Sequence, residues 1–457
     1  MNNNYIIKLA VIASLGGFLF GYDTAIISGT VGLVKGQFSL STVMEGWYVS
    51  SALVGTIAGV LSAGIFSDKF GRKELLIISA IFFGVSAIGC MLCGSFTELV
   101  AYRLIGGIGV GIASMLSPLY ISEISPAAKR GRLVALYQFA ITIGILCAYF
   151  SNAYLLNLSS FFQENEGLIN KIMATELWRG MLGSETIPAF IFLMLLFMVP
   201  KSPRWLIMKG EKERAKRILH KIVTEEEAHK EIKEVETNLA KESGGIKIAF
   251  SSGFRTALIV GILLAFLTQV SGINAIIYYG PKILEKAGLK LSEALGGQVI
   301  IGIVNVLFTL VAIWKIDHLG RRPLLLYGVL GIIVSLTTVG FLFYIEVNNT
   351  YLLMFFILLF IACFAFSYGP VIWVILSEIY PLKIRGTAMS IATISLWIGT
   401  TLVGQMTPWL LENLHSYGTF WFFTICTLPA IYLATKVLPE TKGMTLEEIE
   451  NYWLAKK

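Results

Sequence analysis

Three ionisable residues stand inside runs that are otherwise apolar or small. Asp23 lies in Phe20-Gly21-Tyr22-Asp23-Thr24, Arg103 follows Leu99-Val100-Ala101-Tyr102, and Glu185 interrupts the otherwise uncharged run from Gly183 to Val199. A charge at mid-bilayer depth is costly and requires a partner, a water-filled cavity or a proton. Burial favours the neutral acid at Asp23, whereas a neighbouring guanidinium favours the carboxylate. A conformational change that alters their separation or hydration therefore changes proton affinity. That property is what coupling a proton to another movement requires, so Asp23, Arg103 and Glu185 read as a proton-coupling set. The plainer readings are a static ion pair for Asp23 and an interfacial, snorkelling side chain for Arg103.

A second group is neutral. Thr268-Gln269-Val270-Ser271-Gly272-Ile273-Asn274 leads into Tyr278-Tyr279, Asn305 lies further on, and Trp373 and Trp397 follow. Amides donate and accept at once, and aromatic faces take C–H groups, so together they suit a ligand with hydroxyls on its edge and C–H on its faces. A buried amide left unpaired costs about 1–3 kcal/mol. Helix–helix hydrogen bonding is the competing use for such residues. Trp409 and Trp421 fit packing or interface anchoring and are not assigned to the site.

The segments carrying these residues are long. Twelve apolar stretches are read near 9–33, 46–67, 75–94, 99–121, 133–156, 180–199, 256–280, 294–314, 323–345, 352–378, 386–411 and 418–437. Each is long enough to cross roughly 30 Å of hydrocarbon as a helix. The 457-residue chain is 56% hydrophobic and 14% charged, against about 25% charged in soluble domains. Its mean hydropathy is +0.74. This defines an all-α polytopic membrane protein. The net charge of +7 would suit nucleic acid, but about 29 of the Lys and Arg fall in alternate loops and about 5 in the others, the positive-inside pattern that puts both termini in the cytoplasm. No nucleic-acid partner is expected. The N-terminal apolar run exceeds a signal-peptide core and reads as a retained span.

Between the sixth and seventh stretches lies the one long polar segment, 201–254. There Glu211 to Arg217 and Glu225 to Glu236 place acidic before basic residues at helical spacing, which predicts short solvated helices that break at Ser243-Gly244-Gly245. The stretches on either side repeat. Asp68 with Gly71-Arg72 recurs about 250 positions later as Asp317 with Gly320-Arg321; Ser122-Glu123 with Arg130 recurs as Ser377-Glu378 with Arg385; Pro200-Lys201-Ser202-Pro203-Arg204 recurs as Pro439-Glu440-Thr441-Lys442-Gly443. The chain is thus two six-helix repeats: 1–200, a cytoplasmic linker 201–254, 255–440, and a tail 441–457. Carriers built this way bind substrate at the interface of the repeats. Basic loop residues follow from topology alone, but an acid at fixed spacing from them in both repeats does not. Asp68, Arg72, Glu123, Arg130, Arg204, Asp317, Arg321, Glu378, Arg385 and Glu440 read as a cytoplasmic charge latch that holds one orientation and parts in the other. Lys201 is the exception, opposite an acidic counterpart.

These motifs resemble the sugar porter family of the major facilitator superfamily over essentially the whole chain. The matching text includes Phe20-Gly21-Tyr22-Asp23-Thr24, Tyr102-Arg103 through Gly111, Ser271-Gly272-Ile273-Asn274, Gly369-Pro370-Val371-Ile372-Trp373 and Pro439 to Gly443. The resemblance implies the major facilitator fold and sugar contacts at Phe20, Gln138, Gln269, Asn274, Tyr278, Asn305, Gly369, Trp373 and Trp397; Thr268 joins them as the neighbour of Gln269. Proton-coupled members carry Asp, Arg and Glu at the three ionisable positions, and facilitative members carry Asn for the Asp, so Asp23 implies symport. Two positions depart from the family: Thr268 stands where a second Gln is common, and Leu396 where an amide is. Ile145 stands where members have either Gln or Ile. Fewer amides make the pocket less polar and leave the sugar open, xylose-like or glucose-like.

The reading is proton-coupled import of a monosaccharide by a monomer in the cytoplasmic membrane. A uniporter of the same fold is the alternative, and a non-transporting sugar sensor the alternative of another class. No cofactor, metal or enzymatic activity is expected. Gly107-Ile108-Gly109-Val110-Gly111 has no strand before it, so it suits close helix approach rather than phosphate binding. Cys90 and Cys93 form a lone C-x-x-C without a histidine or second pair. The four histidines lie in polar loops or at span ends, away from any nucleophile–base arrangement.

Overall fold

Hydrocarbon offers no partner to backbone N–H and C=O, so a spanning chain must satisfy them internally. The computed structural model is helical accordingly, with no strand among the described residues. It describes residues 3–126, 129–164, 167–222, 224–225, 227–228, 232–233, 250, 254–347, 349–380, 385–442, 444, 448–449 and 452–453. Twelve helices are long and apolar enough to span a membrane. In the first repeat they are α1 (Asn4–Gly29), α2 (Thr42–Phe70), α3 (Arg72–Leu92), α4 (Phe96–Ile124), α5 (Arg130–Phe162) and α6 (Leu177–Phe197). In the second they are α7 (Arg255–Lys286), α8 (Leu291–Ile316), α9 (Arg321–Tyr344), α10 (Thr350–Ile379), α11 (Gly386–Asn413) and α12 (His415–Val437).

The chain forms two compact units. The first comprises Met1–Thr30 and Ser51–Ser243; the second comprises Val31–Ser50 and Gly244–Lys457. The segment between α1 and α2 therefore packs with the second unit, although it joins two helices of the first repeat.

In the first unit, α1 lies against α5 and α4 against α2 and α3, at crossings lined by glycine. A Cβ on Gly21 would meet the Ile141 carbonyl oxygen at 2.0 Å, and one on Gly107 would meet that of Ala52 at 1.9 Å. Small residues let helix backbones approach closely where lipid supplies no hydrophobic driving force. This is the use expected of the Gly107–Gly111 run. The start of the linker docks against this unit. Ser202 caps the helix Pro203–Met208 by accepting from Trp205 N at 3.3 Å, and buried Trp205 donates its Nε1–H to Asp68 O at 3.2 Å. The expected polar helix appears at Lys212–Leu219; most of 225–236, and the break at 243–245, lie outside the described residues.

Three spans are interrupted where polar residues stand, which apolar periodicity alone does not reveal. In α6 the helix ending at Gly183 and that starting at Thr186 are separated by Ser184-Glu185. In α7 the helices Arg255–Gln269 and Ile273–Lys286 are separated by Val270-Ser271-Gly272. Gly272 has φ +88°, in the left-handed region where a Cβ is penalised, and Ser271 Oγ donates to Thr268 O at 2.7 Å. In α10 a wide π turn, Phe364–Tyr368, precedes Gly369.

Gly107→Ala is expected to lower the thermal midpoint of the detergent-purified protein, since overpacking costs about 1–3 kcal/mol. Gly84→Ala, at a site with nothing within 4 Å of the new Cβ, should leave it unchanged. Differential scanning fluorimetry of the two variants checks this.

Candidate functional site

The three ionisable residues come together inside the first unit. Arg103 Nη1 on α4 donates to Asp23 Oδ1 on α1 at 2.6 Å, and both side chains are 3% exposed. Glu185, at the break in α6, is buried and interacts electrostatically with both. Its Oε1 has no hydrogen-bond partner among the described residues. Two carboxyls and one guanidinium carry a net negative charge when all are ionised. In a buried setting an uncompensated charge is expensive. Cys90 lies close enough to Asp23 and Arg103 to feel both charges, and Tyr22 neighbours Glu185.

Neighbouring backbone fixes this geometry. Gly106, one helical turn after Arg103, would bring a Cβ to 2.4 Å from Ser86 Oγ and 4.0 Å from Asp23 Oδ1. Tyr22 OH bonds Ser184 Oγ at 2.7 Å, and Ser151 Oγ reaches the same Ser184 oxygen at 3.2 Å. α1, α5 and the break in α6 are thus joined beside Glu185. Sequence reading missed Tyr22, Ser151 and Ser184. The available signal was adjacency, since Tyr22 precedes Asp23 and Ser184 precedes Glu185.

In the second unit the polar side chains gather at the break in α7. Gln269 closes its first helix and Asn274 stands in the first turn of its second. Asn274 Nδ2 donates to Gln269 Oε1 at 2.7 Å, and Thr400 Oγ1 on α11 donates to the same oxygen at 3.0 Å. Thr268 is 1% exposed and its hydroxyl is turned into its own helix, donating to Leu264 O at 2.8 Å. Tyr278 and Trp397 are buried, Asn305 is half-buried and Trp373 is 37% exposed. Gly369 follows the π turn, and a Cβ there would meet the Phe364 ring at 3.1 Å. Leu396, the missing amide, is buried one turn before Thr400. Of the candidates in the first unit, Phe20 and Gln138 are half-buried, on α1 and α5.

The loop charges form one pattern twice. In the first unit Arg72 reaches Asp68 Oδ1 at 3.0 Å, Glu123 Oε1 at 3.0 Å and Ser67 O at 3.0 Å, and Glu123 accepts from Ser202. In the second, Arg321 grips both Glu378 oxygens, at 3.0 and 3.2 Å, and reaches Ile316 O, while Glu378 accepts from Thr441. Bidentate pairing of this kind is geometrically specific. Arg130 is exposed and bonds Ser122 O, and Arg204 is half-buried. The side chains of Asp317 and Arg385 lie outside the described residues.

The exception at Lys201 has a partner. Glu440 accepts from the backbone N–H of Arg321 and Arg322, each at 3.0 Å, so it caps the start of α9. Negative charge is favoured there. In the first repeat the carboxylate comes from Glu74, in the first turn of α3, and Lys201 pairs with it at 2.9 Å while lying over the Trp205 ring. The charge at the helix start is kept, but its source differs.

A duplicated twelve-helix chain with a buried carboxyl–guanidinium cluster in one repeat and an amide cluster at a broken helix in the other is the architecture of a secondary transporter. The sequence and structure comparisons agree. The family model "Sugar (and other) transporter" matches residues 9–453. The chain is 38% identical over 451 residues to the arabinose-proton symporter of Bacillus subtilis, covering 98% of this chain and 95% of that protein. It is 38% identical over 486 residues to the D-xylose-proton symporter of Escherichia coli K12, covering 99% and 96%. The partially occluded inward-open structure of the E. coli xylose transporter XylE superposes with a TM-score of 0.84 at 36% identity, covering 97% of this chain and all of that one. The chain belongs to the sugar transporter family and has the major facilitator fold; it is a multi-pass membrane transporter, not an enzyme.

Arg103→Met leaves two buried carboxyls without their cation, a change expected to cost about 3–5 kcal/mol. The double variant Asp23→Asn/Arg103→Met should recover part of that loss. Thermal midpoints of the two in detergent compare them directly.

Proposed function

We propose that the protein imports a monosaccharide together with a proton, by alternating access, as a monomer in the cytoplasmic membrane with both termini in the cytoplasm. The observation that carries the coupling is the buried Asp23–Arg103 pair with Glu185 beside it. The cluster is one proton short of neutrality, so any change in its separation or hydration changes its affinity for that proton. One proton moving down 100 mV supplies about 2.3 kcal/mol, enough for roughly 50-fold accumulation at one proton per sugar. The basic loops support the orientation.

Gln269, Asn274, Tyr278, Asn305, Gly369, Trp373 and Trp397 of the second unit, with Phe20 and Gln138 of the first, are the proposed sugar contacts. Polar groups at the broken α7 meet hydroxyls, and the Trp faces meet ring C–H. The two named relatives are both pentose symporters, and the pocket here has lost an amide at Leu396, whose side chain is wholly apolar. The proposed substrate class is a pentose or a hexose, xylose-like or glucose-like. Thr268, turned into its helix, supports the pocket wall. The loop charge pairs, among them Arg72–Glu123 and Arg321–Glu378, support a cytoplasmic latch that holds one orientation and parts in the other.

In vesicles with an imposed proton gradient, Asp23→Asn is expected to abolish accumulation while retaining sugar counterflow. A variant that still accumulates sugar against its gradient would point to a uniporter-like cycle with the proton site elsewhere.

A further inference from the structure

We propose that Tyr22 is a positioning residue for proton coupling: its hydroxyl clasps Ser184 and so holds the proline hinge that keeps Glu185 beside Asp23 and Arg103. This deepens the reading above, and rests on it, that these three residues carry the proton.

The break in α6 has a local cause. Pro188 lacks the N–H that would bond Ser184 O, four residues back, and its ring crowds that carbonyl. Ser184 O accepts instead from Ile187 N at 3.3 Å, and Glu185 N turns to Leu182 O at 3.4 Å. Met181 O, left without its usual Glu185 donor, accepts from the Ser184 hydroxyl at 2.6 Å. The backbone that carries Glu185 is thus held by long turn bonds, and side chains supply the rest.

Those side chains come from two other helices. Tyr22 OH on α1 bonds Ser184 Oγ at 2.7 Å, and Ser151 Oγ on α5 donates to the same oxygen at 3.2 Å. One hydroxyl therefore ties the residue before Asp23 to the residue before Glu185. Glu185 Oε1 and Thr186 Oγ1, on adjacent residues of the hinge, are both buried with no hydrogen-bond partner among the described residues. Orphaned buried atoms are exceptional, and two at one hinge mark a segment that gains bonds by turning. Opening the clasp lets it turn. The titratable groups facing this site are Asp23 and Tyr22 on α1, Cys90 on α3, Arg103 on α4 and Cys147 on α5. Arg103 is the one cation among these, so a turn that carries Glu185 away from it releases the proton from its setting.

Proteoliposomes loaded with a pH-sensitive dye test this. D-xylose, L-arabinose, D-galactose and D-glucose are offered in turn, and proton entry is followed with and without sugar. In Tyr22→Phe and Ser184→Ala the proton leak without sugar should rise about five-fold, the population change that follows one lost hydrogen bond. The pH midpoint of sugar uptake should move by about half a unit. Ser184→Thr, which keeps the hydroxyl, should stay at the wild-type values. The double variant Tyr22→Phe/Ser184→Ala should match Ser184→Ala alone, since the bond between the two is already lost. Sugar counterflow reports folding in each variant, and Ser184→Ala carries the test if Tyr22→Phe does not fold. Folded variants with the wild-type leak and pH midpoint would overturn the proposal, even if their thermal midpoints fall. So would a double variant in which the two effects add. A wild type in which no sugar drives proton entry defeats the coupling reading, and the proposal with it.

Discussion

A guanidinium bonded to one buried carboxyl, with a second buried carboxyl beside it, constrains the rest of this protein. Asp23, Arg103 and Glu185 come from three helices, so the cluster exists only while α1, α4 and α6 keep their spacing. The glycines at the helix crossings and the Tyr22–Ser184–Ser151 bonds maintain that spacing. On the proposed proton-coupled reading, the cluster alternates between a state with a proton aboard and one in which water and separation screen its charge.

Both repeats use the same construction at their cytoplasmic ends. An arginine at a helix start reaches an acid at the end of another helix, that acid is held by a hydroxyl just beyond the last span of the repeat, and the guanidinium also caps a carbonyl five residues back. Ser202 and Thr441 play equivalent parts on Glu123 and Glu378. Between the copies, the carboxylate at the helix start has moved. Glu440 reaches in from outside α9, whereas Glu74 belongs to α3 itself and needs Lys201 to hold it. The repeated physical requirement is the negative charge, not the residue that bears it.

Sequence reading recovered much of this because hydrocarbon imposes simple rules. Twelve apolar runs became twelve spans, and the paired loop motifs located the repeat. The intramembrane charges were conspicuous because each is costly. What remained hidden was local. The interruptions at Ser184-Glu185 and Val270-Ser271-Gly272 fall within segments apolar enough to read as single spans, where a few polar residues do not announce a break. The first span also ends sooner than its hydropathy implied, because the backbone turns at Ile27–Gly29 while the side chains remain apolar. Thr400 was invisible for another reason. A threonine in a membrane helix ordinarily bonds its own backbone, and only the fold shows that Gln269 lies within reach.

Glu45 illustrates a different kind of asymmetry. It is completely buried in the second unit, bonded to Lys35 at 2.7 Å and to Lys282. Its helix, Thr42–Phe70, has the same 29-residue length as its repeat counterpart, Leu291–Leu319, and the equivalent fourth residue there is Ala294. An ancestral six-helix unit paired with an identical copy would have buried either two such acids or none. The Glu45–Lys282 pair is therefore one-sided, and it gives the two halves distinct identities. Swapping one repeat for the other, or building a symmetric carrier from two copies of the first, would leave Glu45 without Lys282 in its proper place.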